Sequence, residues 1–167
     1  MRSILIFPEI YNEQALQKVR QQYDPLFSHI RPHISLVFPF DATASDTNII
    51  ETTQQILTTT KSFPTTFNKL GSDNNGYIWI EPSYGKDKFV KIHDNLYQNS
   101  LFQPFLRKDI PFEPHITLGK VEPKIQAEIL ASLSVEELSF STYIDSIIIE
   151  NILPNQDSEV LAQIDLK

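Results

Sequence analysis

Two stretches of this chain nearly repeat each other: Pro32–Leu36 reads PHISL, and Pro114–Leu118 reads PHITL. The chain has only four histidines, and two of them occupy the same place in this five-residue frame. Proline disfavours helix for the residue before it, and alternation of polar and aliphatic residues is typical of a half-buried strand. Both stretches are therefore predicted to be β-strands.

Strand geometry separates the side chains of each repeat, because residues i and i+2 share one face. His33 and Ser35 should lie on one face of their strand, and His115 and Thr117 on one face of theirs, with the aliphatic residues packed on a core. For a single His-x-Ser, an ordinary polar strand face is the more frequent explanation. The second copy favours two halves of similar build that bring two imidazoles to one cleft.

Composition limits the kinds of protein this chain can be. Its 167 residues, 41% of them apolar, are enough for one domain or for two small lobes that share a core. A net charge of −7 argues against broad binding to long nucleic acid, but not against a small phosphate-bearing substrate in a locally basic cleft. The absence of cysteine excludes disulfides, thiolate catalysis and cysteine-bound zinc. No apolar run reaches the length of a signal-peptide core or a membrane span, which predicts a cytoplasmic protein.

The spacing of apolar residues predicts about four helices and seven or eight strands, an α+β chain with antiparallel sheet. The turn signal at Gly71–Gly76 predicts a hairpin between its flanking strands. Asn12 is predicted to cap the first helix. The predicted strands are 3–7, 32–40, 63–70, 77–81, 115–119, 137–142, 146–153 and 159–166. The predicted helices are one from 12 to about 24–25, 43–61, 86–100 and one that begins at 122–123.

Two imidazoles in one cleft would suit acid–base chemistry on a phosphodiester. Histidine titrates near pH 6.5, so a pair can hold one neutral and one protonated member. The neutral ring would accept a proton from the attacking group, and the imidazolium would protonate the departing oxygen. Ser35 and Thr117 could donate hydrogen bonds to the non-bridging oxygens as their charge increases. This chemistry requires no metal, and the residues alone leave open which histidine is the acid.

The pattern His-hydrophobic-Ser/Thr-hydrophobic, present once in each half, resembles the defining motif of the 2H phosphoesterase superfamily. That superfamily includes 2′-5′ RNA ligase-like proteins and cyclic nucleotide phosphodiesterases. The surrounding stretches RPHISLVFPF and FEPHITLGK are also similar to its small bacterial members, and the order of elements agrees over most of the chain. The resemblance implies one bilobal, pseudo-twofold α+β domain over residues 1–167, with two antiparallel sheets backed by helices around a central cleft.

The same resemblance implies an activity and a set of site residues. The expected reaction is hydrolysis of a 2′,3′-cyclic phosphate, or of a related cyclic or 2′-5′ phosphodiester, on a nucleotide or RNA end, with no cofactor or metal. His33 would be the proton donor and His115 the proton acceptor, with Ser35 and Thr117 binding the substrate. Lys120 is a further candidate for the phosphate, although regular alternation would turn it away from the face of Thr117. The alternatives are a nucleotide or RNA-end binding protein without turnover, and a structural protein that kept the fold.

Several other residues could carry function, and each has a simpler structural explanation. His93 lies on the apolar face of its predicted helix, which favours a packed histidine, and His29 is predicted to lie in a loop. The pair Glu113 and His115 lacks the further ligands that a metal centre needs. Trp79, with Tyr77 and Tyr84, could stack on a base, but hairpin packing is the preferred interpretation for Trp79. A solvated helix face is preferred for the basic run of Lys86, Lys88, Lys91, Arg107 and Lys108.

Overall fold

Eight strands form two antiparallel sheets in the computed structural model, which describes residues 1–167. The strands are β1 (Arg2–Ile6), β2 (Ile34–Phe40), β3 (Phe63–Ser72), β4 (Tyr77–Tyr84), β5 (Ile116–Lys120), β6 (Phe140–Ile144), β7 (Ser146–Ile152) and β8 (Ser158–Asp165). The terminal strands form the first sheet in the order β2-β1-β7-β8. The middle strands form the second sheet in the order β5-β4-β3-β6. Each sheet therefore places one repeated motif at its edge.

Five α-helices and two 3₁₀ turns connect these strands. The helices are α1 (Glu13–Tyr23), α2 (Asp46–Leu57), α3 (Lys86–Gln98), α4 (Gln126–Ser132) and α5 (Val135–Leu138), and the 3₁₀ turns are Gln103–Phe105 and Pro123–Ile125. The Ser45 side chain caps α2 by accepting from the Asn48 amide, and the helix buries Ile49, Thr53 and Leu57. None of the helices combines the length and apolar character that crossing a membrane would require.

The two halves of the molecule are related by pseudo-twofold symmetry. In the first half, α1 joins the antiparallel neighbours β1 and β2; in the second, α3 joins the antiparallel neighbours β4 and β5. The helices are exchanged between the halves, because α1 packs against β5 and α3 packs against β2. The predicted α+β class with two antiparallel sheets is confirmed.

One hydrophobic core of 28 buried residues joins both sheets and the helices. Phe67 of β3 stacks on Phe140 of β6 with ring centroids 5.1 Å apart. At Gly119 the backbone of β5 approaches α1 so closely that a Cβ there would lie 2.4 Å from the Cβ of Tyr23. Glycine is thus required where α1 touches the second motif strand.

Two local predictions were wrong because tertiary contacts outweighed local signals. Asn12 makes no side-chain bond to the start of α1; its amide donates instead to the carbonyls of Glu137 and Ser139, at 2.7 and 3.1 Å. The strand predicted from Glu137 begins only at Phe140. The residues before it form α5, whose first turn is capped by the Ser134 side chain, which accepts from the Glu137 amide.

Candidate active site

The two motifs occupy equivalent places in the two sheets. His33 immediately precedes β2 and His115 immediately precedes β5, with Ser35 and Thr117 two residues further on. All four of these residues are half-buried. The alternating aliphatic residues are at most 1% exposed, as the strand geometry predicts: Ile34, Leu36, Ile116 and Leu118. The motifs therefore present an imidazole and a hydroxyl on the face that turns away from the core.

Each imidazole is oriented by a carbonyl two residues upstream, across a buried proline. His33 Nδ1 lies 3.0 Å from the carbonyl oxygen of Arg31, and His115 Nδ1 lies 2.6 Å from that of Glu113. A carbonyl oxygen can only accept, so Nδ1 must carry the proton in each neutral ring. Nε2 then holds the lone pair, and both histidines offer the same nitrogen for proton transfer.

A β-bulge follows the hydroxyl residue in both motifs. In the first sheet Ile4 pairs with Val37 while Leu5 pairs with Ser35, so Leu36 is an extra residue in β2. The burial pattern agrees, because Leu36 and Val37 are consecutive and both are buried. The alternation of side chains is therefore reversed after the bulge.

The same bulge in the second sheet changes the place of Lys120. Ile78 pairs with Gly119 while Trp79 pairs with Thr117, which leaves Leu118 as the extra residue. Lys120 consequently pairs with Tyr77 and lies on the same face as Thr117, with Nζ 4.8 Å from the centre of the tyrosine ring. The prediction that alternation turns Lys120 away from Thr117 was wrong, because it assumed an unbroken strand.

The two histidines lie close enough to influence each other's protonation. Burial lowers the pKa of both His33 and His115 below its ordinary value. The hydrogen bonds to the carbonyls of Arg31 and Glu113 oppose that shift. A charge on His33 lowers the pKa of His115 further, so protonation of the first ring favours the neutral form of the second.

Nearby charges act differently on the two rings. Among the charged groups, Glu150 has the largest effect on His33 and raises its pKa, followed by Arg20, which lowers it. For His115 the largest effect comes from His33 and lowers the pKa, ahead of Glu81 and Glu113, which raise it. The largest charge effect therefore raises the pKa of His33 and lowers that of His115.

An aromatic side chain lies against His115. The indole of Trp79 stacks on its imidazole with centroids 4.7 Å apart and planes inclined by 29°. Trp79 Nε1 donates to Glu81 Oε2 at 3.0 Å, and Glu81 Oε1 lies 3.4 Å from Lys69 Nζ. Trp79 thus packs within the hairpin, as predicted, against Gly71 of β3, and it also contacts an imidazole of the second motif, which was not predicted. Trp79 alternates with Tyr77 and Glu81 on one face of β4, but the pairing that places it opposite Thr117 could not be read from the sequence.

The corresponding surface of the first sheet has different residues. Leu5 is opposite Ser35 and is 1% exposed. On the same face, Glu150 is 3% exposed and accepts hydrogen bonds from the hydroxyls of Ser3, at 2.6 Å, and Ser158. This buried carboxylate raises the pKa of His33 more than Asp24 does, and nothing in its spacing along the sequence indicated that effect.

Helix α1 supports the backbone that orients His33. Arg20 is 1% exposed and forms an ion pair with Asp24 at 2.7 Å. The same guanidinium donates to the carbonyl of Ile30 at 2.8 Å, and the next residue, Arg31, supplies the carbonyl that holds the imidazole. The long segment between α1 and β2 is therefore fixed next to the first motif.

The remaining histidines lie outside this site. His93 is buried, as predicted, and stacks on Phe112 with centroids 3.9 Å apart. His29 lies in the predicted loop, with Nδ1 2.8 Å from Asp157 Oδ1. The Glu113 carboxylate pairs with Lys86, and no group of three or more His, Cys, Asp or Glu side chains is arranged to hold a metal ion.

The basic run has mixed charge at the surface. Lys86, Lys88 and Lys91 lie on α3, so the predicted solvated helix face is correct for them; Lys88, for example, lies 3.4 Å from Asp87. Arg107 and Lys108 follow the 3₁₀ turn and are not helical, which corrects that part of the prediction. Arg107 is paired with Asp109 at 2.6 Å, which holds the pKa of that carboxyl at about 2.

Two sheets of this topology, with a His-x-Ser/Thr pair beside the edge strand of each, define the 2H phosphoesterase class of fold. The family model of the 2′-5′ RNA ligase superfamily matches residues 7–152. The chain belongs to this superfamily. The resemblance of the two motifs to 2H phosphoesterases is thereby confirmed.

Similar proteins are found among bacteria. A protein of Oceanobacillus iheyensis described as a "putative phosphoesterase" is 29% identical over 151 residues, which cover 85% of this chain and 84% of the relative. A protein of Geobacillus kaustophilus with the same description is 27% identical over 148 residues, covering 85% of this chain and 82% of the relative.

Solved structures share the fold at low sequence identity. LigT of E. coli in complex with 3′-AMP superposes with a TM-score of 0.71 at 13% identity, covering 99% of this chain and 97% of that one. A crystal structure of a phosphoesterase gives a TM-score of 0.67 at 14% identity, with the same coverage. LigT in complex with ATP gives 0.60 at 14% identity, covering 99% of this chain and 96% of that one. The bilobal, pseudo-twofold arrangement is therefore that of the LigT fold.

Proposed function

We propose that this protein hydrolyses a 2′,3′-cyclic phosphate, or a related cyclic or 2′-5′ phosphodiester, on a nucleotide or RNA end. The observation that carries the proposal is the matched pair of imidazoles. Each has Nδ1 bound to a carbonyl and Nε2 free for proton transfer, each has a hydroxyl two residues along the same face, and the charge of one affects the other. Acid–base catalysis of a displacement at phosphorus needs this set of groups.

The proposed reaction follows from these groups. A water molecule attacks the phosphorus while the neutral Nε2 of His115 takes its proton. The bond from phosphorus to the 2′ or 3′ oxygen breaks, and the Nε2 proton of His33 passes to that oxygen. The product is a phosphomonoester with one free ribose hydroxyl. The hydroxyls of Ser35 and Thr117 donate to the non-bridging oxygens, and proton exchange with solvent then restores both rings.

The assignment of His33 as acid and His115 as base is supported by the charges around them. Glu150 raises the pKa of His33, which favours the protonated ring that an acid requires. The resulting charge on His33 lowers the pKa of His115, which favours the neutral ring that a base requires. We therefore propose that the reaction starts with His33 protonated and His115 neutral. In this state the charge on His33 lies near Glu150 and is not repelled by a charge on His115.

The net charge of the chain and the ligands of structures that share its fold both favour a small substrate. The net charge of −7 disfavours long nucleic acid, whose binding depends on neutralising many phosphates. LigT, which shares the fold, has been crystallised with 3′-AMP, ATP and NADP⁺. Lys120, on the face of Thr117, is proposed to contact the substrate phosphate. Action in the cytoplasm, and by residues 1–167 as one unit, remain predictions from the sequence.

The test is turnover and binding measured on the same variants. Release of 2′- or 3′-phosphate from a panel of 2′,3′-cyclic nucleotides should fall about a thousandfold in His33→Ala and in His115→Ala. Affinity for 3′-AMP should change much less. His29→Ala is the matched control, because this histidine is bound to Asp157 outside the cleft, and it should hydrolyse at the normal rate.

Two results would contradict the proposal. If the unaltered chain binds 3′-AMP but hydrolyses none of the cyclic or 2′-5′ phosphodiesters, the cleft is a binding site only. If both histidine variants lose binding and turnover to the same degree, the imidazoles hold the ligand and need not transfer protons.

A further inference from the structure

The single tryptophan of the chain is held in one orientation. Trp79 Nε1 donates to Glu81, and Glu81 is in turn paired with Lys69. Directly across the sheet lies Gly71, where a Cβ would be 2.3 Å from Nε1 and 2.8 Å from Cε2 of the indole. The indole therefore lies against bare backbone, and any larger residue at position 71 would displace it.

The indole contacts His115 and has no aromatic counterpart in the first sheet. Its ring stacks on the His115 imidazole at 4.7 Å, whereas the equivalent position in the first sheet, opposite Ser35, is Leu5. Because the first motif is built the same way without an aromatic partner, the fold of the motif does not require one. The tryptophan and the glycine beside it must then serve something that distinguishes the second site from the first.

We propose that Trp79, held by Gly71 and Glu81, is a positioning residue that fixes the plane of the His115 imidazole and excludes water from one side of it. The inference rests on the proposed function, in which His115 transfers a proton through Nε2. The carbonyl of Glu113 constrains Nδ1 at 2.6 Å, but a single hydrogen bond allows the ring to rotate about that contact. Stacking restricts that rotation, so the two contacts together aim Nε2 into the cleft.

The protonation of His115 depends on groups from every element around it. Glu81 comes from β4, Glu113 from its own segment and His33 from the entrance to β2. Lys69 of β3 neutralises part of the Glu81 charge, and Lys86 of α3 part of the Glu113 charge. Burial remains the largest cause of the lowered pKa, and the stacked indole contributes to that burial. Removal of the indole should therefore raise the pKa of His115 toward its ordinary value.

Tryptophan fluorescence tests the contact in the unaltered chain without any substrate. A protonated imidazole quenches a stacked indole more strongly than a neutral one, so emission should rise with pH as His115 loses its proton. The transition should disappear in His115→Gln. In His33→Gln it should persist with its midpoint at higher pH, because a like charge near His115 is gone. Emission that does not vary with pH near neutrality, or that varies equally in His115→Gln, would overturn the proposal.

Replacement of the indole tests its effect on turnover. Trp79→Ala should lower kcat about tenfold and move the acidic limb of the pH profile to higher pH, while Trp79→Phe should stay within about threefold of the unaltered chain. Gly71→Ala, which displaces the indole without removing it, should resemble Trp79→Ala. A role in packing alone would lower stability but leave kcat and the pH limb unchanged. If no phosphodiester is hydrolysed, the proposed function fails, whereas the fluorescence titration still decides whether the stack controls His115.

Discussion

The two motif strands are built alike, but the sheets behind them differ. Both have a buried proline, an imidazole held by an upstream carbonyl, and a bulge directly after the hydroxyl residue. Opposite the hydroxyl, however, the first sheet has Leu5 and the second has Trp79. Among the charged groups, Glu150 has the largest effect on the pKa of the first imidazole, whereas the first imidazole itself has the largest effect on the pKa of the second. The duplicated parts supply the groups that both sites share, and the residues that are not duplicated are the ones we propose to distinguish the acid from the base.

A substrate with a good leaving group should separate the two histidines most clearly. A nucleoside p-nitrophenyl phosphate releases an anion that needs no proton, so it should recover most of the activity of His33→Ala, up to about a thousandfold relative to a cyclic nucleotide. His115→Ala should gain little, because the attacking water still needs a base. The rates of the two variants on both substrates show which histidine is the acid. Recovery of activity in His115→Ala instead of His33→Ala would make His115 the acid and His33 the base.

Loss of either hydroxyl should have a smaller effect that is similar in the two halves. Ser35→Ala and Thr117→Ala should each lower kcat by about a hundredfold, because each removes one donor to the oxygens that gain charge. The exchanges Ser35→Thr and Thr117→Ser keep that donor and serve as controls, with changes of about threefold. A large loss in only one half would show that a single hydroxyl contacts the phosphate.

Neutralising the carboxylates near each ring should move different limbs of the pH profile of kcat/KM. Glu150→Gln removes a charge that raises the pKa of His33, so the alkaline limb, where the acid loses its proton, should move to lower pH. Glu81→Gln removes a charge that raises the pKa of His115, so the acidic limb should move to lower pH. The first change narrows the profile and the second broadens it. Movement of the same limb in both variants would contradict this division.

The smallest effect concerns stability against pH. Both histidines have a folded-state pKa below the ordinary value of about 6.5, so the unfolded chain takes up protons first as pH falls. The free energy of unfolding should therefore decrease from about pH 6.5 downward. Urea titrations should show a weaker decrease in the doubly substituted His33→Asn, His115→Asn chain. If the free energy of unfolding falls equally with pH in both proteins, groups other than these two histidines cause the loss of stability.

The repeated pentapeptide was sufficient to predict both motif strands and their core-facing residues, and the spacing of apolar residues predicted the α+β class. What it could not predict depends on strand pairing. The bulge at Leu118 reversed the face of Lys120, and only the register between β4 and β5 places Trp79 beside His115. Asn12 was likewise predicted from local preference to cap a helix. Its side chain instead binds carbonyls more than a hundred residues away in the sequence. Local spacing predicts which residues share a face only while the strand stays regular.

The exchanged helices have a consequence for how the cleft can move. Tyr23 of α1 contacts Gly119 beside the second motif, while the Tyr97 hydroxyl of α3 accepts from the Phe38 amide beside the first. The motif strand of each sheet is thus braced by a helix that connects two strands of the other sheet. Hinge opening would have to unpack both braces together, so we expect the spacing between the imidazoles to stay the same when a ligand binds. Neither half could be expressed alone with its motif strand in place.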